Sequence, residues 1–185
     1  MSIVATMMFP NGGVLMYGDK RAVTNINNSI TIADNYVKVH KVNEKIACGI
    51  TGYGEWGLLI VDKLKNSHFN NIAAMFEYVK LFPYPLTDEI LGSTITLAGV
   101  YDDERPFLWT YRTSGETTFV QDDINYSVAT NPLELGNACS TYLVKRFQET
   151  SNPHETLQSV IKFASKQSPY YISDSYDMVV IPFKL

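Results

Sequence analysis

The chain has 185 residues, of which 45% are hydrophobic and 18% charged, and its formal net charge is −4. That length supports one well-covered core and is short for two domains. With this slight acidic surplus nothing suggests the general affinity for nucleic acid or anionic lipid that a basic chain has. No apolar run approaches the roughly 20 residues a membrane helix needs.

The first residues, MSIVATMMF, lack a basic leading segment, and Asn, Gly and Asp soon interrupt the apolar run. A secretory signal is therefore not expected, and a cytoplasmic location is. Residues 2–9 and 13–18 read as paired strands across a Pro10-Asn11-Gly12-Gly13 turn, since Asn and Gly tolerate positive φ. After Arg21 a polar loop is expected. YVKVHKV (36–42) alternates apolar and basic residues, the period of a half-exposed strand. Glu44-Lys45 makes a turn, and IACGIT (46–51) reads as an interior strand. Helices follow at 54–66, where Trp56, Leu59, Ile60 and Leu64 recur at helical spacing, and at 71–82, stopped by Pro83 and Pro85.

Residues 93–102 and 105–113 read as a hairpin across Asp103-Glu104, and 116–122 and 124–130 as further strands. Pro132 opens a long helix. Asn152 and Pro153 cap and start the next one, and 176–183 is a closing strand. Cys48 lies in an apolar run and Cys139 in a predicted helix; neither belongs to a C-x-x-C pair, so both are expected to be buried thiols. The order is four strands, two helices, four strands, two helices and one strand. It suits a single α+β domain over 1–185 in which two antiparallel sheets pack together with helix pairs outside, a four-layer αββα sandwich.

The three histidines, His40, His68 and His154, stand apart from one another and from both cysteines, which argues against a zinc site, and no phosphate loop or G-x-S-x-G elbow is present. Another set has a chemical logic: a small hydroxyl residue at the chain start, Asp-x-Arg at the end of the second strand, a Lys in an alternating strand and a Gly before a helix. A free α-amine has a pKa of about 7.7–8.0 and serves as a general base at neutral pH. A Ser or Thr carrying it is nucleophile and base in one residue. A nearby Lys keeps the amine neutral, an Asp orients the Lys, and a backbone N–H before a helix stabilises an oxyanion.

The stretches GGVLMYGDKRAV (12–23), YVKVHKV (36–42), IACGITGYGEW (46–56) and SDSYDMVVI (173–181) carry a resemblance to the proteasome β-subunit family and its bacterial two-component relative, the N-terminal-nucleophile (Ntn) hydrolases. The resemblance implies an Ntn-hydrolase fold in which Asp19 and Lys38 are the active-site pair, Arg21 is the neighbour of Asp19, and Gly52 is the oxyanion-hole glycine. Thr130 falls where the family has a Gly-Ser turn, Asp174 matches a supporting Asp, and Asp177 replaces a Ser. The lengthened FPNGG turn leaves two registers open. One places Ser2, exposed by removal of Met1, on the nucleophile; the other places Met1 there and Ser2 one residue beyond.

The resemblance further implies hydrolysis of peptide or unfolded-protein amide bonds without a metal or cofactor, a homo-oligomeric ring, and an ATPase unfoldase as a partner. Two alternatives remain: a catalytically inactive ring or scaffold subunit of the same fold, since fold does not fix function, and an amidase acting on small molecules.

Overall fold

The structure, a computed structural model, describes residues 2–10, 13–26, 29–69, 71–83, 93–101, 103, 105–115, 117–120 and 125–182. Met1, the turn residues Asn11 and Gly12, Pro85, Glu104 and the last residue of the predicted closing strand lie outside them. The elements in chain order are β1 (Ser2–Met8), β2 (Val14–Asp19), β3 (Ala22–Ile26), β4 (Ser29–Ala33), β5 (Val39–Asn43), β6 (Ile46–Thr51), α1 (Gly54–Asn66), α2 (Ile72–Leu81), β7 (Thr94–Val100), β8 (Pro106–Arg112), β9 (Thr117–Val120), β10 (Asn125–Asn131), α3 (Glu134–Thr150), α4 (Pro153–Gln167) and β11 (Tyr176–Ile181).

Two sequence expectations need correction. The polar loop after Arg21 is an antiparallel hairpin, β3 against β4, with Ala22 opposite Ala33 and Thr24 opposite Thr31. The β-branched residues Val23, Thr24, Ile30, Thr31 and Ile32 outweigh the intervening asparagines. The strand expected from 36 begins only at Val39, so Lys38 precedes it. Helix limits hold closely. Asn152 caps α4, its Oδ1 accepting the Glu155 N–H at 3.1 Å.

The described residues form an α+β chain with three antiparallel sheets: β10-β1-β2-β11, β5-β6-β7-β8-β9, and the separate β3-β4 pair. Strand alternation sorts the core. Ile3, Ala5, Met7, Leu15 and Tyr17 cluster with Leu143, Leu157, Val160 and Ile161 of α3 and α4. Cys48, Ile50, Ile95, Leu97, Phe107 and Trp109 cluster with Trp56, Ile60, Met75 and Val79 of α1 and α2. The intervening positions Val4, Met8, Val14, Met16, Ala47, Ala98 and Leu108 make a third cluster between the two larger sheets. The central strands β1, β2, β6, β7 and β8 are therefore buried on both faces, which explains their near-continuous hydrophobic runs.

The two larger sheets approach closely at Gly49. A Cβ there would stand 2.6 Å from Val4 Cγ1 and 3.0 Å from the Met16 sulfur. Gly49→Ala is expected to destabilise the protein by about 1–3 kcal/mol through overpacking. Adding Val4→Ala should make room and restore part of the loss. Urea unfolding of the two single variants and the double variant checks this; strictly additive losses would remove the packing explanation.

Candidate functional site

The site forms where β1 and β2 meet the turn from β6 into α1. Ser2 starts β1 opposite Asn131 of β10. Its hydroxyl Oγ accepts the Gly52 backbone N–H at 3.0 Å. Gly52 has φ +91, and a Cβ on it would lie 2.4 Å from Ser93 Oγ and 2.6 Å from Ser93 Cα. Both the backbone region and the space therefore require glycine. The next amide, Tyr53 N–H, is held by Ser93 Oγ at 2.8 Å. The chain enters α1 just beyond, so the helix N-terminus adds positive potential near the Ser2 hydroxyl.

Asp19 ends β2 and is fully buried at 0% exposure, while Ser2 and Lys38 are each 4% exposed. One Asp19 oxygen, Oδ1, accepts the Ile3 N–H at 2.9 Å and the Lys38 ammonium at 2.7 Å. The other, Oδ2, accepts the Arg21 N–H at 3.0 Å and the Ser173 N–H at 3.4 Å. Lys38 also donates to the Arg21 carbonyl at 2.5 Å. Its own carbonyl accepts the Ile50 N–H at 2.8 Å, which moors Lys38 beside β6, two residues before Gly52. Burial lowers the Lys38 pKa from the ordinary 10.5, and the Asp19 charge and hydrogen bond oppose that shift.

Arg21 turns outward. Its Nε and Nη2 grip the two oxygens of Asp34 at 2.6 Å each, and Nη1 donates to the Pro169 carbonyl. The Asp34 contact raises the Arg21 pKa, and the Arg21 contact holds the Asp34 carboxyl below its usual range.

Five of the residues singled out in the sequence thus form one assembly: Ser2, Asp19, Lys38, Gly52 and the Arg21 backbone. The other three stand around it with other contacts. The Thr130 hydroxyl donates to the Pro132 carbonyl at 2.8 Å. Asp177 pairs with Lys20 at 3.4 Å. Asp174 is exposed and acts on Arg21 through its charge alone. Ser93, Ser173 and Asp34 escaped the sequence reading. Ser173 adjoins Asp174 in the SDSYD stretch, which was a usable signal. Ser93 and Asp34 had none, because the β6–β7 adjacency and the β3–β4 hairpin create their roles. Cys48 and Cys139 are both free and buried, and burial pushes each thiol pKa up to about 12. Among the described residues no group of three or more His, Cys, Asp or Glu could hold a metal ion, and no helix is long and apolar enough to cross a membrane.

Compared with protein-family models and with curated proteins, the chain matches neither a family nor a relative.

Removing Lys38 leaves the Asp19 carboxylate buried without its cation. Lys38→Met is expected to cost about 3–5 kcal/mol, and Lys38→Met with Asp19→Asn to cost less than the sum of the two single changes. The pH dependence has a defined sign. Between the lowered folded pKa of Lys38 and 10.5 the unfolded chain holds more protons at this residue, so its contribution to stability rises with pH up to about 10.5. The stability of the wild type relative to Lys38→Met should therefore increase as pH is raised towards 10.5 in urea titrations. A decrease would mean that the attraction of Asp19 outweighs burial.

Proposed function

We propose that this protein is an amide-bond hydrolase of the proteasome-like N-terminal-nucleophile type, with Ser2 as nucleophile after removal of Met1. The observation that carries the reading is the Gly52 N–H bond to Ser2 Oγ, one residue before the Ile3 amide that the buried, Lys38-paired Asp19 accepts. The three apolar clusters support the four-layer αββα arrangement that such enzymes share: a helix pair, two facing sheets and a second helix pair. The four stretches that carry the family resemblance contribute Asp19, Lys38, Gly52 and Ser173 to this one assembly. Of the two registers, the position of the Ser2 hydroxyl favours the one with Ser2 as nucleophile.

In this mechanism the Ser2 α-amine takes the hydroxyl proton as Oγ attacks a substrate carbonyl carbon. The Lys38 ammonium keeps that amine neutral by like-charge repulsion. The carbonyl oxygen becomes the oxyanion, and the Gly52 N–H shifts from Oγ to this adjacent oxygen. The C–N bond then breaks, the departing amine receives the proton from the α-ammonium, and an ester on Ser2 remains. Water, deprotonated by the same amine, hydrolyses the ester and regenerates the site. Peptides or unfolded chains in the cytoplasm are the substrates of this reading, a homo-oligomeric ring its assembly and an ATPase unfoldase its partner.

One observation favours the inactive-scaffold reading: Asp177, which stands where the family has a Ser, is paired with Lys20. An electrophilic peptide probe decides between the two. Intact mass should show one adduct on chains whose first residue is Ser2, and none on Ser2→Ala or on chains that keep Met1. Absence of an adduct from chains verified to begin with Ser2 would leave the scaffold reading. Gly52→Ala should abolish labelling as well, since the added Cβ meets Ser93 and displaces the amide from Oγ.

A further inference from the structure

The segment between Asp19 and Lys38 leaves the core and returns. On its way it forms the β3–β4 hairpin, a sheet of only two strands that hydrogen-bonds to neither of the larger sheets. Such a pair is marginal by itself in water, and this one exposes Ile30 and Ile32, at 57% and 44%. Its return is fixed at the base. The Ala22–Ala33 pair closes the hairpin, the Arg21 guanidinium clasps Asp34 with two parallel bonds, and the Tyr36 N–H donates to the Lys20 carbonyl at 3.0 Å. Lys38 follows two residues later and donates to the carbonyl of that same Arg21. Arg21 also holds the Pro169 carbonyl, in the loop that brings the Ser173 N–H to Asp19. A single guanidinium therefore ties together two of the segments that deliver donors to Asp19, the one that carries Lys38 and the one that carries Ser173.

We propose that Asp34 is a positioning residue: its two-pronged contact with Arg21 holds the Lys38 ammonium on Asp19, so that the exposed β3–β4 hairpin and the Ser2 site move together. The proposal rests on the reading of Ser2 as nucleophile for its catalytic consequence, but not for its structural one. Planar, bidentate Arg–carboxylate contacts fix angle as well as distance, and a displacement of about 1 Å near reacting atoms costs up to roughly 100-fold in rate. Asp34 itself is exposed, so its contribution to overall stability is small. A change in site geometry with little change in stability is what separates a positioning role from a general structural one.

The test uses Asp34→Asn, which keeps the shape and loses the charge, and Asp34→Glu, which keeps the charge. Two measurements are made on each: the Lys38 side-chain ammonium resonance and its proton-exchange rate by NMR, and the rate of Ser2 acylation by the electrophilic peptide probe. Asp34→Asn is expected to shift the Lys38 resonance, to speed ammonium exchange and to slow acylation by roughly tenfold or more, up to about 100-fold, with an unchanged melting temperature. Asp34→Glu should restore most of both signals. An unaltered Lys38 resonance and exchange rate in Asp34→Asn would overturn the proposal, whether or not acylation slows. If wild-type protein beginning at Ser2 is not acylated, the hydrolase reading fails, and the Lys38 measurement still decides whether Asp34 positions the lysine.

Discussion

Asp19 lies at the centre of the structure's logic because a carboxylate removed from water must have its lone pairs met. Its two oxygens accept from Ile3 N–H, Lys38 Nζ, Arg21 N–H and Ser173 N–H, at 2.9, 2.7, 3.0 and 3.4 Å. These donors come from β1, from the link between β2 and β3, from the residue before β5 and from the loop before β11. One buried charge thus gathers four separate stretches of chain. Without all four the carboxylate would carry a desolvation cost of several kcal/mol, so the burial of Asp19 and the convergence of these segments are one event. The Ser2 hydroxyl lies at the same meeting point, one residue from the Ile3 amide that Asp19 holds.

The packing of the two larger sheets places this point where it is. β1 and β2 are buried on both faces, with Ile3, Ala5 and Met7 against α3 and α4 and Val4 and Met8 against the facing sheet. The side-chain period of two lets one strand serve both clusters. The close approach at Gly49 then sets the distance between β1 and β6. Three residues further, just past the end of β6, the chain turns at Gly52, whose amide meets Ser2. The Ser2–Gly52 contact is consequently tied to core packing: Val4 stands two residues from Ser2 and Gly49 three from Gly52.

Much of this was legible in the sequence because burial on alternating faces leaves a readable pattern. The double-faced apolar runs, the helical spacing of Trp56, Ile60 and Leu64 and the Asn152-Pro153 cap all act within a few residues of themselves. Asp19, Lys38 and Gly52 were legible as residue types whose chemistry is complementary, and the structure brings them together. The hairpin β3–β4 was not legible, since its asparagines suggested a loop and its two strands pair with neither larger sheet. The contact of Asp34 with Arg21 was lost with it. Ser93 acquires its role only because β7 runs beside β6, with Thr94 opposite Thr51, a tertiary fact that local pattern does not encode. Thr130 and Asp177 were read by analogy of position, and the side chains there make local contacts that position alone does not determine.

The abrupt end of β2 in Asp19-Lys20-Arg21 has a physical account in these contacts. Successive side chains of an extended chain diverge, and here three consecutive charges reach three different places. Asp19 points into the buried assembly. Lys20 reaches Asp177 on β11, while its backbone carbonyl takes the Tyr36 N–H. Arg21 reaches Asp34 at the hairpin base and Pro169 before β11. The three differ in energetic weight. Lys38 and Asp19 are 5% and 0% exposed at the side chain, so taking this pair out of water is costly. The Lys20–Asp177 pair, 30% exposed on both sides, is screened by water and contributes little to stability. Lys20 and Arg21 link the end of β2 to β11 and to the hairpin base. A strand end that would be an anomaly in a purely apolar core is thus a joint, with one buried charge anchoring it and two outward charges aiming the chain on either side.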